Sequence, residues 1–233
     1  MNKPNFFIVG AQKAGTTSLY HILSQQKEVF IPSKKELRFF SYHYAKGFDW
    51  YCNTYFEDAQ NEKYIGEADP GYMANEQVPE HILKHCGSST KIIMLFRQPA
   101  KRAYSHYNMF KKFEKFKSQV SYPFEEQLIL EQKGNIKSNY IRNGLYGQAL
   151  NNYLKYFDRS NIHIIFFEDF ISNQEKELTD LASFLEIDEI EIPANTHSNK
   201  ASIPLHPWMR ILYSDKKYIK TIRNLFMNSP IKR

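Results

Sequence analysis

Uninterrupted apolar runs alternate along this chain with stretches whose apolar residues fall at helical spacing. The first run, "NFFIVG" at 5–10, has the continuous hydrophobicity of a strand buried on both faces. It leads into "GTTSLYHILSQQ", where Leu19, Ile22 and Leu23 share one helical face. "KYIGEADP" (63–70) predicts a shorter strand. "KIIMLF" (91–96) predicts another, followed by "RQP" and a helix to about Lys117, with Pro99 suited to a first helical turn. The run "NIHIIFFEDF" (161–170) predicts a further strand, and a helix follows from about Asn173 to Glu186. Apolar strands alternating with helices predict an α/β fold, a parallel sheet flanked by helices on both faces. In such sheets ligands gather at the carboxyl ends of strands, beside a topological switch point. The loops after residues 9, 67 and 96 are therefore the candidate sites. No internal repeat, low-complexity tract or linker interrupts the pattern.

Composition narrows this only a little. A chain of 233 residues suits one sizeable α/β domain, so a single domain over 1–233 is the expectation. Apolar residues at 42% and charged residues at 24% exclude a disordered chain, and the 15% aromatic content is assigned to the core. A net charge of +6 suits an anionic ligand or surface without identifying one. Cys52 and Cys86 are too few for a disulfide framework or a metal cluster, which predicts reduced thiols in a cytoplasmic protein. The first apolar run is too short for a signal peptide, and no segment approaches about 18 uninterrupted apolar residues, so no transmembrane segment is expected.

The chemistry begins at "GAQKAGTTS" (10–18), between the first strand and helix. Gly10 and Gly15 have the G-x-x-x-x-G spacing of a nucleotide-binding P-loop. Thr16 and Thr17 stand where that loop carries Lys and Ser/Thr, and Lys13 lies inside the loop instead. Such a loop points backbone N–H groups at whatever lies above the helix N-terminus, a natural place for phosphate or a relative of it. Thr16, Thr17 and Ser18 add hydroxyl donors, and Lys13 adds a positive charge. Enzymes of ATP and GTP hold Mg²⁺ with a Ser/Thr and a strand-end acid. Here "KIIMLF" ends in Arg97, while Glu168 and Asp169 of "IIFFED" either imitate such a strand end or begin a helix. A donor whose transferred group carries one less charge needs less metal and can rely on lysine. A sulfuryl group attached to phosphate fits that description.

At this point the chain resembles the sulfotransferases that use 3′-phosphoadenylyl sulfate (PAPS), especially the branch with heparan sulfate N- and 3-O-sulfotransferases and bacterial members. "FFIVGAQKAGTTSLYHIL" is similar to that family's 5′-phosphosulfate loop, Q-K-A/S/T-G-T-T/S. "PSKKELRFF" resembles its K-E-P-x-F-F element, and "LFRQPAKRAYSHY" its 3′-phosphate element, R-x-P-x-x-R-x-x-S-x-Y. "NGLYGQALNNYLKYF" followed by "IHIIFFEDF" resembles the helix and strand that complete the core. These segments occur in family order across 5–170, with a weaker match to about 204. The resemblance implies a P-loop, nucleotide-kinase-like parallel sheet. It implies that Lys13, Ala14, Gly15, Thr16, Thr17 and Ser18 hold the 5′-phosphosulfate, that Arg97 and Ser105 hold the 3′-phosphate, and that Lys200 closes over the donor. Glu36 takes the position of the catalytic base, with Gln12, Arg38 and His43 on the acceptor side. In-line transfer then releases 3′-phosphoadenosine 5′-phosphate (PAP) and requires no metal. The acceptor implied is a saccharide or polysaccharide, with lipids and small metabolites left open.

Departures concern the acceptor more than the donor. Arg38 stands where heparan-type enzymes often have histidine, and Leu37 where many have proline. "GEADPGY" resembles G-E-K-T-P-x-Y, yet Ala68 and Asp69 replace the lysine and threonine, and Tyr153 replaces a tryptophan. The chain ends at Arg233, earlier than many relatives, which leaves a short or truncated C-terminal part as the expectation. Arg102 is either an anion contact or structural, and His106 is expected to pack rather than react. Lys111, Lys112, Lys115 and Lys117 form either a solvated helix face or an acidic-acceptor rim. Two rival functions stay open: a small-molecule or nucleotide kinase using ATP and Mg²⁺, and a nucleic-acid-binding module. The second is favoured only by the positive charge, and no nucleic-acid partner is expected.

Overall fold

A computed structural model describes residues 1–112 and 120–192 of the chain. These fall into two compact units, Met1–Gln98 with the stretch from Gln148 onward, and Pro99–Gly147.

The first unit is built on a five-stranded sheet in the order β2-β3-β1-β4-β5. The strands are β1 (Phe6–Gly10), β2 (Val29–Phe30), β3 (Tyr64–Ala68), β4 (Lys91–Phe96) and β5 (Ile162–Phe166). All four pairings are parallel, with Phe6 opposite Gly66 on one side and Lys91 on the other. Every residue of β1 is buried, so each position is apolar or glycine. Helix α1 (Thr16–Leu23) returns the chain and buries Leu19, Ile22 and Leu23, the face its spacing predicts. The chain runs outward from β1 to β2 and β3, then crosses to β4 and β5. That reversal makes the carboxyl end of β1 the switch point.

The run at 161–170 is not one strand. β5 stops at Phe166, and Phe167–Ser172 forms a short helix, α7, with Glu168 and Asp169 in its first turn. Acids there favour the helix start through the backbone dipoles, and Glu168 accepts from the Gln98 N–H (3.3 Å). Helix α8 (Gln174–Leu185) follows as predicted. Two-residue β2, helix α2 (Phe48–Tyr55) and helix α3 (Val78–Cys86) are additions that the apolar pattern did not announce.

Aromatic rings fill the space beneath the switch point. Phe39 stacks on Tyr51 at 4.2 Å, and Phe40 meets Phe7 and Tyr72 edge-on at 5.6 and 5.8 Å. Helix α6 (Tyr146–Tyr153) ends at buried Tyr153, whose hydroxyl donates to the Tyr72 carbonyl (3.3 Å).

The second unit carries α4 (Pro99–Lys112) and α5 (Phe124–Gln132). Ala103, Tyr107, Phe124, Leu128 and Tyr140 form its core. Arg102 is fully buried and donates to the Tyr140 carbonyl, which gives it a structural role here. The Glu131 carboxylate accepts from the N–H groups of Tyr140 (2.8 Å) and Ile141 (2.9 Å) and fixes the loop after α5. Among the described residues no helix is long and apolar enough to cross a membrane.

Phe39 is completely buried and stacked, so Phe39→Ala is expected to lower the unfolding free energy by about 3–5 kcal/mol. Urea denaturation with an unchanged slope is the check.

Candidate active site

Two glycines set the loop after β1, and local geometry requires both. Gly10 has φ +149°, and a Cβ there would lie 2.7 Å from the Met73 Cβ. Gly15 has φ +92°, and a Cβ there would lie 2.9 Å from the Phe167 ring. Between them the Ala11 N–H donates to the Leu95 carbonyl (2.7 Å), which ties the loop to β4. Gly15 caps α1 without a side-chain acceptor, and the first turn holds no acid. The helix thus presents its N–H groups and positive dipole end at the switch point. Thr16 is buried and Thr17 exposed, so their hydroxyls sit at the inner and outer edges of this cradle.

Arg97 follows β4 directly and crosses to the loop. Its Nη1 donates to the Lys13 carbonyl (3.0 Å), and its guanidinium lies 4.5 Å from the Phe167 ring centroid. It braces the loop as well as bringing a charge to it.

The segment with Glu36 arrives from the opposite side. Glu36 and Arg38 both have left-handed backbones, φ 60° and 57°, as does Lys13 at 69°. Such conformations are strained for residues with a Cβ and cluster at functional sites. The end of β3 holds the turn: the Glu36 N–H donates to the Ala68 carbonyl (3.1 Å) and the Arg38 N–H to Asp69 Oδ2 (3.0 Å). Asp69 Oδ1 also accepts from the Gly71 N–H (2.9 Å). A single π turn, Phe39–His43, follows, with the Tyr42 and His43 N–H groups both on the Arg38 carbonyl. Arg38 Nη2 lies 3.6 Å from Glu36 Oε2, a partly exposed and therefore weak ion pair.

Lys35 points the other way. Its Nζ donates to Thr17 Oγ1 (2.6 Å) and lies 3.5 Å from Thr16 Oγ1. The turn bearing Glu36 therefore closes onto the loop bearing Lys13. Burial lowers the Lys35 pKa; the charges of Glu36 and Asp69 oppose this, and that of Lys13 adds to it.

Behind the turn lies a buried acid, Glu67, whose Oε1 accepts from the hydroxyls of Tyr51 (2.5 Å) and Tyr72 (2.8 Å). Burial first, and the charge of Asp69 second, push this carboxyl up to about 8. Burial likewise raises Asp69 to about 6, against the N–H bonds it accepts.

The sequence signature of the sulfotransferase domain matches residues 3–202. The chain belongs to the sulfotransferase family. The heparan sulfate glucosamine 3-O-sulfotransferase 5 of Mus musculus is 30% identical over 188 residues, 79% of this chain and 54% of that one. A bifunctional heparan sulfate N-deacetylase/N-sulfotransferase of Drosophila melanogaster is 27% identical over 213 residues, covering 79% of this chain and 20% of that one. The chain thus spans about half the length of the first relative and less of the second. Among solved structures, a sulfotransferase from Alicyclobacillus acidocaldarius is 27% identical with a TM-score of 0.74, covering 91% of this chain and 90% of that one. A mouse sulfotransferase complexed with PAP, 16% identical with a TM-score of 0.64 over 98% and 86% of the two chains, shares the fold. The parallel α/β sheet read from the sequence is the fold of these sulfotransferases.

Lys13, Ala14, Gly15, Thr16, Thr17 and Ser18 lie together on the loop and first turn of α1, joined there by Arg97 and, through Lys35, by the turn of Glu36 and Arg38. Gln12 is half-buried in the same loop, and His43 is half-buried at the end of the π turn. Ser105 is half-buried on α4 in the second unit, where His106 packs edge-on to Tyr140 at 5.4 Å. Lys111 is exposed, while Lys115, Lys117 and Lys200 lie outside the described residues. The sequence assigns no role to Lys35, although it belongs to the same "KKELRFF" element as Glu36. It also shows Asp69 only as a replaced threonine, not as the acceptor that holds the Arg38 N–H.

Glu67 is neutral in the fold up to about pH 8 but ionises from its ordinary 4.5 once unfolded. Its raised value stabilises the fold fully below the unfolded pKa, and this contribution is lost as pH rises toward the folded one. Glu67→Gln is therefore expected to gain in melting temperature relative to wild type as pH rises from about 5 to 8. Paired thermal melts across that range are the check, and a constant difference contradicts the assignment.

Proposed function

We propose that this chain transfers the sulfuryl group of PAPS to a hydroxyl or amine of a carbohydrate acceptor, in line and without a covalent enzyme intermediate. The observation that carries this reading is the closure of the Glu36 turn onto the Lys13 loop through the Lys35–Thr17 contact. A carboxylate-bearing turn and a glycine loop thereby meet at one strand-end switch point, which supports the reading. The cradle fits a phosphosulfate by its chemistry: two lysines, two threonine hydroxyls and a helix N-terminus free of acids.

When bound, PAPS supplies a sulfuryl group on a phosphate leaving group. Lys13 and the loop donors then stabilise the charge that grows on the phosphate. Glu36 accepts the acceptor's proton as its oxygen or nitrogen bonds to sulfur. Arg97 holds the loop through the Lys13 carbonyl, and the family resemblance assigns Arg97 and Ser105 to the 3′-phosphate. Gln12, Arg38 and His43 attend the acceptor. Lys200, assigned by resemblance to close over the donor, has no described position. A carbohydrate acceptor is supported by relatives named for heparan sulfate. Ala68 and Asp69 are buried, and Asp69 is taken up by the Arg38 and Gly71 N–H groups, so the lysine that the resembling element carries there is missing and lipids and small metabolites stay open as acceptors.

Incubation with ³⁵S-PAPS across saccharides, lipids and phenols is expected to label a saccharide. Stabilisation by ATP–Mg²⁺ but not by PAP, with no label transferred, would instead establish a kinase. Glu36→Gln is expected to lose about 10²–10⁴-fold in kcat while keeping PAP affinity, and normal turnover refutes its role as base. Lys13→Ala should abolish transfer, and Arg97→Ala should lose PAP binding in calorimetry.

A further inference from the structure

Lys35 has chemistry beyond anchoring a turn. A lysine beside a glutamate ordinarily keeps its ammonium in water and lays its stem along the surface. Here the side chain leaves Glu36 and spans to α1, where the ammonium donates 2.6 Å to Thr17 Oγ1 with Thr16 Oγ1 at 3.5 Å. Among the described residues no carboxylate lies within ion-pair distance of it. It also feels the positive charge of Lys13. Burial outweighs the nearby charges of Glu36 and Asp69, so the ammonium is only partly compensated in the protein alone, and an anion placed between Lys35 and Lys13 completes the compensation.

The hydroxyls carry the same message. A threonine oxygen that accepts from an ammonium turns its own O–H outward, and the charge behind it makes that hydrogen a stronger donor. Thr16 and Thr17 thereby become polarised donors at the mouth of the loop, beside the first N–H groups of α1.

We infer that Lys35 is a second catalytic cation of the donor site, binding the 5′-phosphosulfate directly and together with the Thr16 and Thr17 hydroxyls. The inference rests on the PAPS reading of this site. In the transfer, the acceptor oxygen or nitrogen bonds to sulfur as the sulfur–oxygen bond to phosphate breaks. The electron pair of that bond goes to the phosphate oxygen, the acceptor proton goes to Glu36, and the added phosphate charge is shared by Lys13 and Lys35. Arrival of Lys35 from the segment that carries Glu36 also links donor binding to placement of the base.

Calorimetry with PAP and with adenosine 3′-monophosphate, which lacks the 5′-phosphate, separates a direct contact from a structural one. Lys35→Met is expected to weaken PAP binding about 10- to 100-fold and leave the monophosphate unchanged. Lys35→Arg should recover part of the loss, and kcat should follow the same order. Equal PAP affinity and turnover in Lys35→Met overturns the role of Lys35 alone, as does an equal loss for both nucleotides. Wild-type protein that binds neither nucleotide overturns the PAPS reading and the role of Lys35 with it.

Discussion

Parallel pairing of β1 with β3 on one side and β4 on the other brings three strand ends to one place. Everything at the site hangs from those ends. β1 delivers the glycine loop, β4 delivers Arg97, and β3 delivers the Ala68 carbonyl and Asp69 carboxylate that receive the Glu36 turn. Since each connection returns the chain to the amino ends of the strands, all the carboxyl ends open toward the same end of the sheet.

The anchoring explains how three non-glycine residues keep left-handed backbones. Lys13 has its carbonyl held by Arg97, Glu36 has its N–H on β3, and Arg38 has its N–H on Asp69 and its carbonyl on the π turn. Each such conformation costs about 1–2 kcal/mol, and each is offset by hydrogen bonds to rigid strand ends. The buried Phe39 and Phe40 carry the same restraint into the core. A carboxylate on such a support stays where the sheet puts it, which is what a proton acceptor needs.

Legibility of the sequence followed burial. β1 and β4 are buried on both faces, so their apolar runs are continuous and their ends are plain. β5 lies at a sheet edge and runs straight into α7, whose Phe170 is also buried, so apolarity alone does not mark the boundary. Two-residue β2 is too short to carry a period. At the site, glycine spacing and the internal lysine pointed to an anion, and ordered motifs pointed to the family. Lys35 stayed hidden because a K-K-E triplet has no local feature that separates a solvated lysine from one that crosses 18 residues of sequence to a threonine. Asp69 stayed hidden because its partners are backbone N–H groups, which leave no trace in the sequence.

The tyrosine-bound Glu67 also sets the electrical background of the switch point. One residue before the carbonyl that seats Glu36, it occupies a place where a carboxylate would repel any incoming anion. Its burial between Tyr51 and Tyr72 keeps it protonated and silent at neutral pH. The fold can therefore pack an acid beneath an anion cradle and leave the lysines above it as the dominant charge. Above about pH 8 that silence ends, and a negative charge appears behind the turn.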